Sequence, residues 1–212
     1  MSRRLGVLVS GRGSNLQAII GAIERGELAA TVAVVISNRA DAAGLVRARE
    51  AGIETVCLLP RDYDSRDAYD QAVAGELRVR GVDLVCLAGY MRLVGRAILE
   101  AFPNRVLNIH PSLLPSFPGL DAQRQAIEHG VRISGATVHL VTEELDGGPI
   151  VLQAVVPVLV SDDVDTLAAR ILAEEHRLYP RAIEIVLAGD WRIDGRRFVS
   201  DRVTFPLAAG QV

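Results

Sequence analysis

Five short runs of aliphatic and β-branched residues alternate with segments of helical period in the first half of the chain, and this alternation leaves few folds open. The runs are Leu5–Val9, Val32–Ile36, Glu54–Leu58, Leu84–Ala88 and Val106–Ile109. The segments between them, Asn15–Glu24, Ala42–Ala51, Ser65–Arg80 and Val94–Ala101, carry apolar residues at helix spacing. Strands that are apolar on both faces need cover on both, and the intervening helices supply it, so a parallel sheet between two helical layers is predicted. Right-handed crossovers then bring the C-terminal ends of the strands to one edge, where ligands bind in such folds. Half of the residues are hydrophobic but only 4% are aromatic, which suits an aliphatic core of this kind.

After Pro118 the pattern changes. A helix over about Asp121–Glu128 leads to two strands, Gly135–Val141 and Ile150–Val156, joined by a loop over Glu143–Pro149. A long helix follows from about Asp163 to Leu187, with Leu167, Ile171, Leu172, Tyr179, Ile183 and Val186 on one face. Trp191–Val199 reads as a small terminal hairpin. The fold class is therefore α/β: a Rossmann-like, mostly parallel twisted sheet with helices on both faces, and a C-terminal part with antiparallel strands and a long helix. No linker or repeat divides residues 1–212, so one domain is expected. Its N-terminal half (about 1–103) would bind phosphate and its C-terminal half (about 104–212) would carry the chemistry.

The net charge of −3 argues against general attraction to nucleic acid. No apolar run approaches membrane-spanning length, and Met1–Leu5 enters a strand rather than a signal core, so a cytoplasmic protein without membrane partners is expected. Cys57 and Cys86 both lie in aliphatic runs and read as buried structural thiols. No His and Cys spacing suggests a metal site.

Two polar motifs stand out from this aliphatic background. In Leu107-Asn108-Ile109-His110-Pro111-Ser112-Leu113-Leu114-Pro115, an amide and an imidazole lie two residues apart on a strand and point to the same side. Glu144-Leu145-Asp146-Gly147-Gly148-Pro149 adds a carboxylate on a Gly-rich loop. The set contains no covalent nucleophile. It suits direct transfer of an acyl group to an amine, with hydrogen-bond donors stabilising the oxyanion. The first strand also runs through Ser10-Gly11-Arg12-Gly13-Ser14-Asn15-Leu16 into a helix, a natural phosphate site. It lacks the third glycine of a dinucleotide fingerprint and the Gly-Lys-Ser/Thr of a triphosphate loop, which favours a single phosphate. A β-branched side chain at Gly13 is expected to push that phosphate off the backbone. The alternative is a tight turn with Ser14 or Asn15 as helix cap, which needs no ligand.

With Ala88-Gly89-Tyr90-Met91-Arg92, these motifs appear in an order that resembles the phosphoribosylglycinamide formyltransferases, folate-dependent enzymes of purine synthesis. The resemblance runs from Leu5 to about Gly189. It implies that 10-formyltetrahydrofolate is the cosubstrate, that phosphoribosylglycinamide is the acceptor, and that no metal takes part. It also implies that Gly13, Ser14 and Asn15 bind the ribonucleotide phosphate and that Glu175 touches the same substrate. Arg66 with Met91, Arg92, Leu93 and Val94 would line the folate site. The folate loop falls on roughly Val141–Asp146, so Val141, Asp146 and Asn108 would also meet that ligand. Asn108, His110 and Asp146 would be the catalytic group. Arg12 stands where the family suggests a smaller or neutral polar residue, and Gly119–Gln123 has no histidine although related enzymes often carry one.

On this reading the amine attacks the formyl carbon, Asn108 and a protonated His110 donate to the oxyanion, and Asp146 raises the pKa of His110 or orders a water. Partners would be small molecules, and the protein a monomer or homodimer. An amino-sugar nucleotide as acceptor, or water as in a formyltetrahydrofolate hydrolase, is the alternative. His139 reads as a core or supporting histidine, and His129 and His176 as surface or packing residues. The proline-rich loop and the resemblance together predict a cis peptide at Leu114–Pro115.

Overall fold

The computed structural model describes residues 3–203. Its centre is one nine-stranded sheet in the order β3-β2-β1-β4-β5-β6-β7-β9-β8. The first five strands, β1 (Arg3–Val9), β2 (Ala30–Ser37), β3 (Thr55–Cys57), β4 (Leu84–Leu87) and β5 (Val106–His110), are mutually parallel. Between them run α1 (Ser14–Glu24), α2 (Ala43–Glu50), α3 (Arg66–Val79) and α4 (Arg96–Ala101). The strand order reverses direction between β1 and β4, and this places the loops after those two strands side by side.

Beyond β5 come α5 (Ala122–Glu128), β6 (Ile133–Leu140), β7 (Ile150–Pro157), α6 (Val164–Ala188), β8 (Arg192–Asp194) and β9 (Arg197–Val199). β6 runs antiparallel to both β5 and β7. The expected hairpin is present as β8 and β9, and β9 joins the sheet through a parallel bridge from Arg197 to Ile150. Helix α6 begins in a reciprocal cap, Asp163 accepting from the Thr166 N–H at 2.8 Å while Thr166 Oγ1 accepts from the Asp163 N–H. It ends at Gly189 in the left-handed conformation.

The helices divide unevenly between the two faces. One face of β1, β4, β5 and β6 (Val7, Cys86, Leu107, Ile109, Val138) packs against residues of α1, α2 and α6. Ala126 of α5 joins Leu167 and Ile171 of α6 under Ala136 and Val156, on that same face. The other face is covered by α3 and α4, through Tyr69, Val73, Leu77 and Ile98 against Leu8, Val34, Val85 and Val106. Past Val106 that second face receives no helix among the described residues. The sequence reading placed ligands at the strand ends; here they also have access to an uncovered stretch of sheet face on β5, β6 and β7. Cys86 is buried as expected, whereas Cys57 is exposed, at the end of the short strand β3 on the edge of the sheet.

Candidate active site

Asn108 and His110 lie on the uncovered face of β5. Antiparallel register sets His139 opposite Asn108 and Thr137 opposite His110, so four polar side chains share that face. His110 and His139 are 5% and 1% exposed, so their polar atoms need protein partners. His139 Nδ1 donates to the Leu140 carbonyl at 3.0 Å, which leaves Nε2 to accept from Asn108 Nδ2 at 3.1 Å. One amide N–H of Asn108 is thereby held, and the carboxamide plane is fixed with its second N–H still to be used. His139 was expected only as a core or supporting residue. Its place opposite Asn108 depends on register, which the local sequence does not carry.

Asp146 arrives from the loop between β6 and β7 with φ 49°, a left-handed conformation that aspartate tolerates better than most residues. A Cβ on Gly148 would run into the Leu140 carbonyl, so the Gly-Gly pair lets this loop turn tightly against β6. Asp146 Oδ2 accepts from the Gly119 N–H at 2.7 Å and lies 3.5 Å from His110 Nδ1, while Oδ1 lies 3.7 Å from His139 Nε2. Burial alone would raise the pKa of this carboxyl. The contact with His139, the Gly119 N–H and the neighbouring His110 ring outweigh it, and the group sits below its ordinary value.

His110 differs from expectation in two respects. Its Nε2 donates to the Phe117 carbonyl at 2.9 Å, so one ring nitrogen meets the loop and the other faces Asp146. Its pKa lies below the ordinary 6.5, because burial outweighs the opposing pull of the Phe117 carbonyl and Asp146. The resting imidazole is therefore biased towards the neutral form, not the protonated one anticipated.

The first part of the loop after His110 is anchored to β6 and β7, while Phe117 and Gly119 further along bond His110 and Asp146. The peptide Leu114–Pro115 is cis, as expected. Thr137 Oγ1 donates to the Ser112 carbonyl at 2.7 Å and accepts from the Leu114 N–H, and Gln153 Nε2 donates to both the Leu114 carbonyl and Thr137. Neither Thr137 nor Gln153 was singled out from sequence. Their only signal is a polar residue within an otherwise aliphatic strand: Thr137 two before His139 on β6, and Gln153 alone on β7. A cavity of about 490 Å³ reaches Asp146 from the side of β9, lined also by Leu114, Pro115 and Phe198.

The Gly-rich loop lies at the end of β1. The capping alternative fails: Gly13 is itself the residue before the helix, with φ 72°, and no side chain caps α1. The 7%-exposed Asn15 instead donates to Glu175 Oε2 of α6 at 2.7 Å, and its own Oδ1 is buried without a partner. Burial raises the pKa of Glu175, against the hydrogen bond from Asn15 and the charge of Arg12. A Cβ on Gly13 would lie 2.6 Å from Gly44 Cα. Substitution there would displace α2 before it touched any ligand, which corrects the expectation that Gly13 reports on phosphate alone.

At the end of β4, Met91 and Leu93 are 64% and 56% exposed beside this loop, while Val94 is buried against α3 and α4. The Met91 N–H donates to Ser10 Oγ at 2.8 Å, and Ser10 donates in turn to Asn38 Oδ1, tying the two loops together. Arg66 Nη2 donates to the Leu93 carbonyl at 3.0 Å, and its Nε lies 3.7 Å from the buried Asp70. The Arg92 guanidinium lies 4.8 Å over the Tyr69 ring, with Nε buried and unpartnered. That side chain is committed to packing. The Val141 N–H donates to the Val106 carbonyl at 2.8 Å, at the root of the Asp146 loop. His129 is exposed and bonded to its own helix, and His176 is half-buried.

Among the described residues, no group of three or more His, Cys, Asp and Glu is placed to hold a metal, and no helix is long and apolar enough to cross a membrane. Residues 3–183 match the family described as Formyl transferase. Over 90% of the chain and 87% of the relative, the sequence is 50% identical to the phosphoribosylglycinamide formyltransferase of Escherichia coli. It is 41% identical to that of Haemophilus influenzae over 96% of the chain and 93% of the relative. The fold superposes on glycinamide ribonucleotide transformylase 1 of Symbiobacterium toebii with a TM-score of 0.93 and 59% identity, covering 94% of this chain and 95% of that one.

Proposed function

The chain belongs to the phosphoribosylglycinamide formyltransferases, within the formyl transferase family, and from that premise we infer how its residues carry out the transfer of a formyl group from 10-formyltetrahydrofolate to the amine of phosphoribosylglycinamide in purine synthesis. The single observation that carries the assignment of roles is the convergence of Asn108, His110 and Asp146, from two distant motifs, on one uncovered sheet face.

The amine attacks the formyl carbon, giving an oxyanion on the formyl oxygen and a positive charge on the attacking nitrogen. Asn108, its plane held by His139, offers its remaining N–H to the oxyanion. Neutral His110 keeps its Nε2–H on the Phe117 carbonyl and takes a proton from the attacking nitrogen on Nδ1 as Asp146 makes way, and ionised Asp146 stabilises the imidazolium so formed. The same proton then goes to the leaving folate nitrogen as the C–N bond breaks. No acyl-enzyme is needed, and holding the two reactants together supplies much of the rate. Asn108→Ala should lower the single-turnover rate by about 10²–10³-fold through the lost oxyanion donor, with little change in substrate binding.

The substrates divide between the two joined loops. Gly13, Ser14 and Asn15, with the free N–H groups of the first turn of α1, hold the phosphate in the N-terminal half, and Glu175 meets the sugar. Met91–Val94, Arg66, Val141 and the Asp146 loop face the folate. The partners are these small molecules. A formyl-transfer assay offering phosphoribosylglycinamide, an amino-sugar nucleotide and water as acceptors tests the reading. Transfer to the first should dominate, and preferred turnover of either other acceptor would overturn it.

The pH dependence has a definite sign. His110 must start neutral, and burial holds its folded pKa below 6.5, so kcat/KM should rise with pH through a limb below 6.5 and level above it. The same protonation removes folding stability on the acid side, because the unfolded chain binds that proton more readily. Asp146→Asn removes an influence that raises the pKa of His110 and should move the limb to still lower pH in a kcat/KM profile. A limb that stays in place or moves up would assign it to another group.

A further inference from the structure

A phosphate site built from backbone N–H groups works only if the carbonyls of the same loop point elsewhere, since a carbonyl oxygen facing the anion would cancel a neighbouring N–H. Three carbonyls of the Gly11–Asn15 loop precede α1: the Gly13 carbonyl accepts from the Gln17 N–H at 3.0 Å within α1, and the other two are tied back to α2. The Gly11 carbonyl accepts from the Gly44 N–H at 3.0 Å, and the Arg12 carbonyl accepts from Arg47 Nε at 2.9 Å. The side chain of Arg47 lies close enough that a Cβ on Gly13 would sit 3.5 Å from its Cδ. Nothing else among the described residues bonds the Arg12 carbonyl by side chain or backbone.

We propose that Arg47 is a positioning residue for phosphate recognition: its Nε–H turns the Arg12 carbonyl away from the ligand and so aims the following N–H groups at it. This rests on the assignment of the Gly13–Asn15 segment to the ribonucleotide phosphate. Arg47 acts through the loop backbone and need not touch the substrate.

Three substitutions separate this role from simple charge attraction. Glutamine places its Nε2–H the same number of bonds from Cα as Arg47 Nε, keeping the donor and losing the charge. Lysine keeps the charge and has a methylene at that position. Methionine keeps the length and has neither. Steady-state kinetics should show Arg47→Met raising the KM for phosphoribosylglycinamide about 10-fold, the effect of one charge-assisted hydrogen bond. Arg47→Gln should stay within about 3-fold of the unmodified enzyme, and Arg47→Lys should resemble Arg47→Met. In all three, kcat and the KM for the folate substrate should hold, and melting temperatures check that each variant is folded. Rescue by lysine but not by glutamine would overturn the proposal in favour of bulk charge, and unchanged KM values in all three would overturn it outright. The dephosphorylated riboside distinguishes the two levels of the argument. If the unmodified enzyme uses riboside and nucleotide equally, the phosphate-loop assignment fails; if it prefers the nucleotide and Arg47→Met does not lessen that preference, only the role of Arg47 fails.

Discussion

Replacing His110 with alanine is expected to lower the single-turnover rate of formyl transfer by about 10²–10⁴-fold while leaving ribonucleotide affinity within a few fold. The separation follows from placement: His110 stands on the β5 face against Asp146 and Phe117, whereas the phosphate loop lies at the end of β1. Asp146→Asn should fall in the same range, because an amide in that place cannot stabilise the imidazolium. The two losses should not add, since each residue acts through the other and removing one leaves little for its partner to do. Rapid-quench measurement of formyl transfer in both single variants and the double variant checks this. A double variant slower than either single by the product of the two factors would show that the residues act independently.

The second large effect concerns the acceptor. Phosphoribosylglycinamide should be used roughly 30- to 1000-fold better than its riboside, as judged by kcat/KM, corresponding to about 2–4 kcal/mol from charge-assisted bonds to backbone N–H groups and the end of the α1 dipole. Inorganic phosphate should compete with the nucleotide and leave use of the riboside unaffected. Equal kcat/KM values for the two acceptors would remove the phosphate loop from the site. Gly13 variants are a poor probe of this effect, because the close approach of Gly13 to Gly44 makes any side chain there a disturbance of α2.

The parallel half of the sheet was legible because each strand and helix carries its own period, and local pattern decides which residues are buried. Asn108, His110 and Asp146 were legible as motifs, and the structure brings them together. What escaped was set by pairing across distance. The role of His139 comes from its register against Asn108, and those of Thr137 and Gln153 from a loop that folds back onto them. Arg66 was placed beside Met91–Val94 by resemblance alone. Its bond to the Leu93 carbonyl appears only once α3 packs beside the end of β4. Arg92 was placed at the folate site without a choice between side chain and backbone; its side chain lies on Tyr69, and nothing in the local run Met91–Val94 announces that aromatic partner. Cys57 was misjudged because an aliphatic neighbourhood was taken to mean burial, and a three-residue edge strand does not provide it.

The uneven division of helices has a consequence for how this molecule opens. With α5 and α6 both on the far side of the sheet, the cover over Asn108 and His110 consists of loop backbone held by a few polar bonds, among them Gly119 N–H to Asp146 and the Phe117 carbonyl to His110. Lifting that cover breaks hydrogen bonds that water can replace and pulls Phe117 from the cluster around Ala126 and Leu167, while the layers around β1 and β4 stay closed. Local opening there should cost only part of the free energy of global unfolding, and hydrogen exchange should find the amides of β1, β4 and β5 opening only when the whole sheet comes apart. The protein can therefore combine a rigid foundation with repeated admission and release of two substrates, because the parts that must move and the parts that must not lie on opposite sides of the same strands.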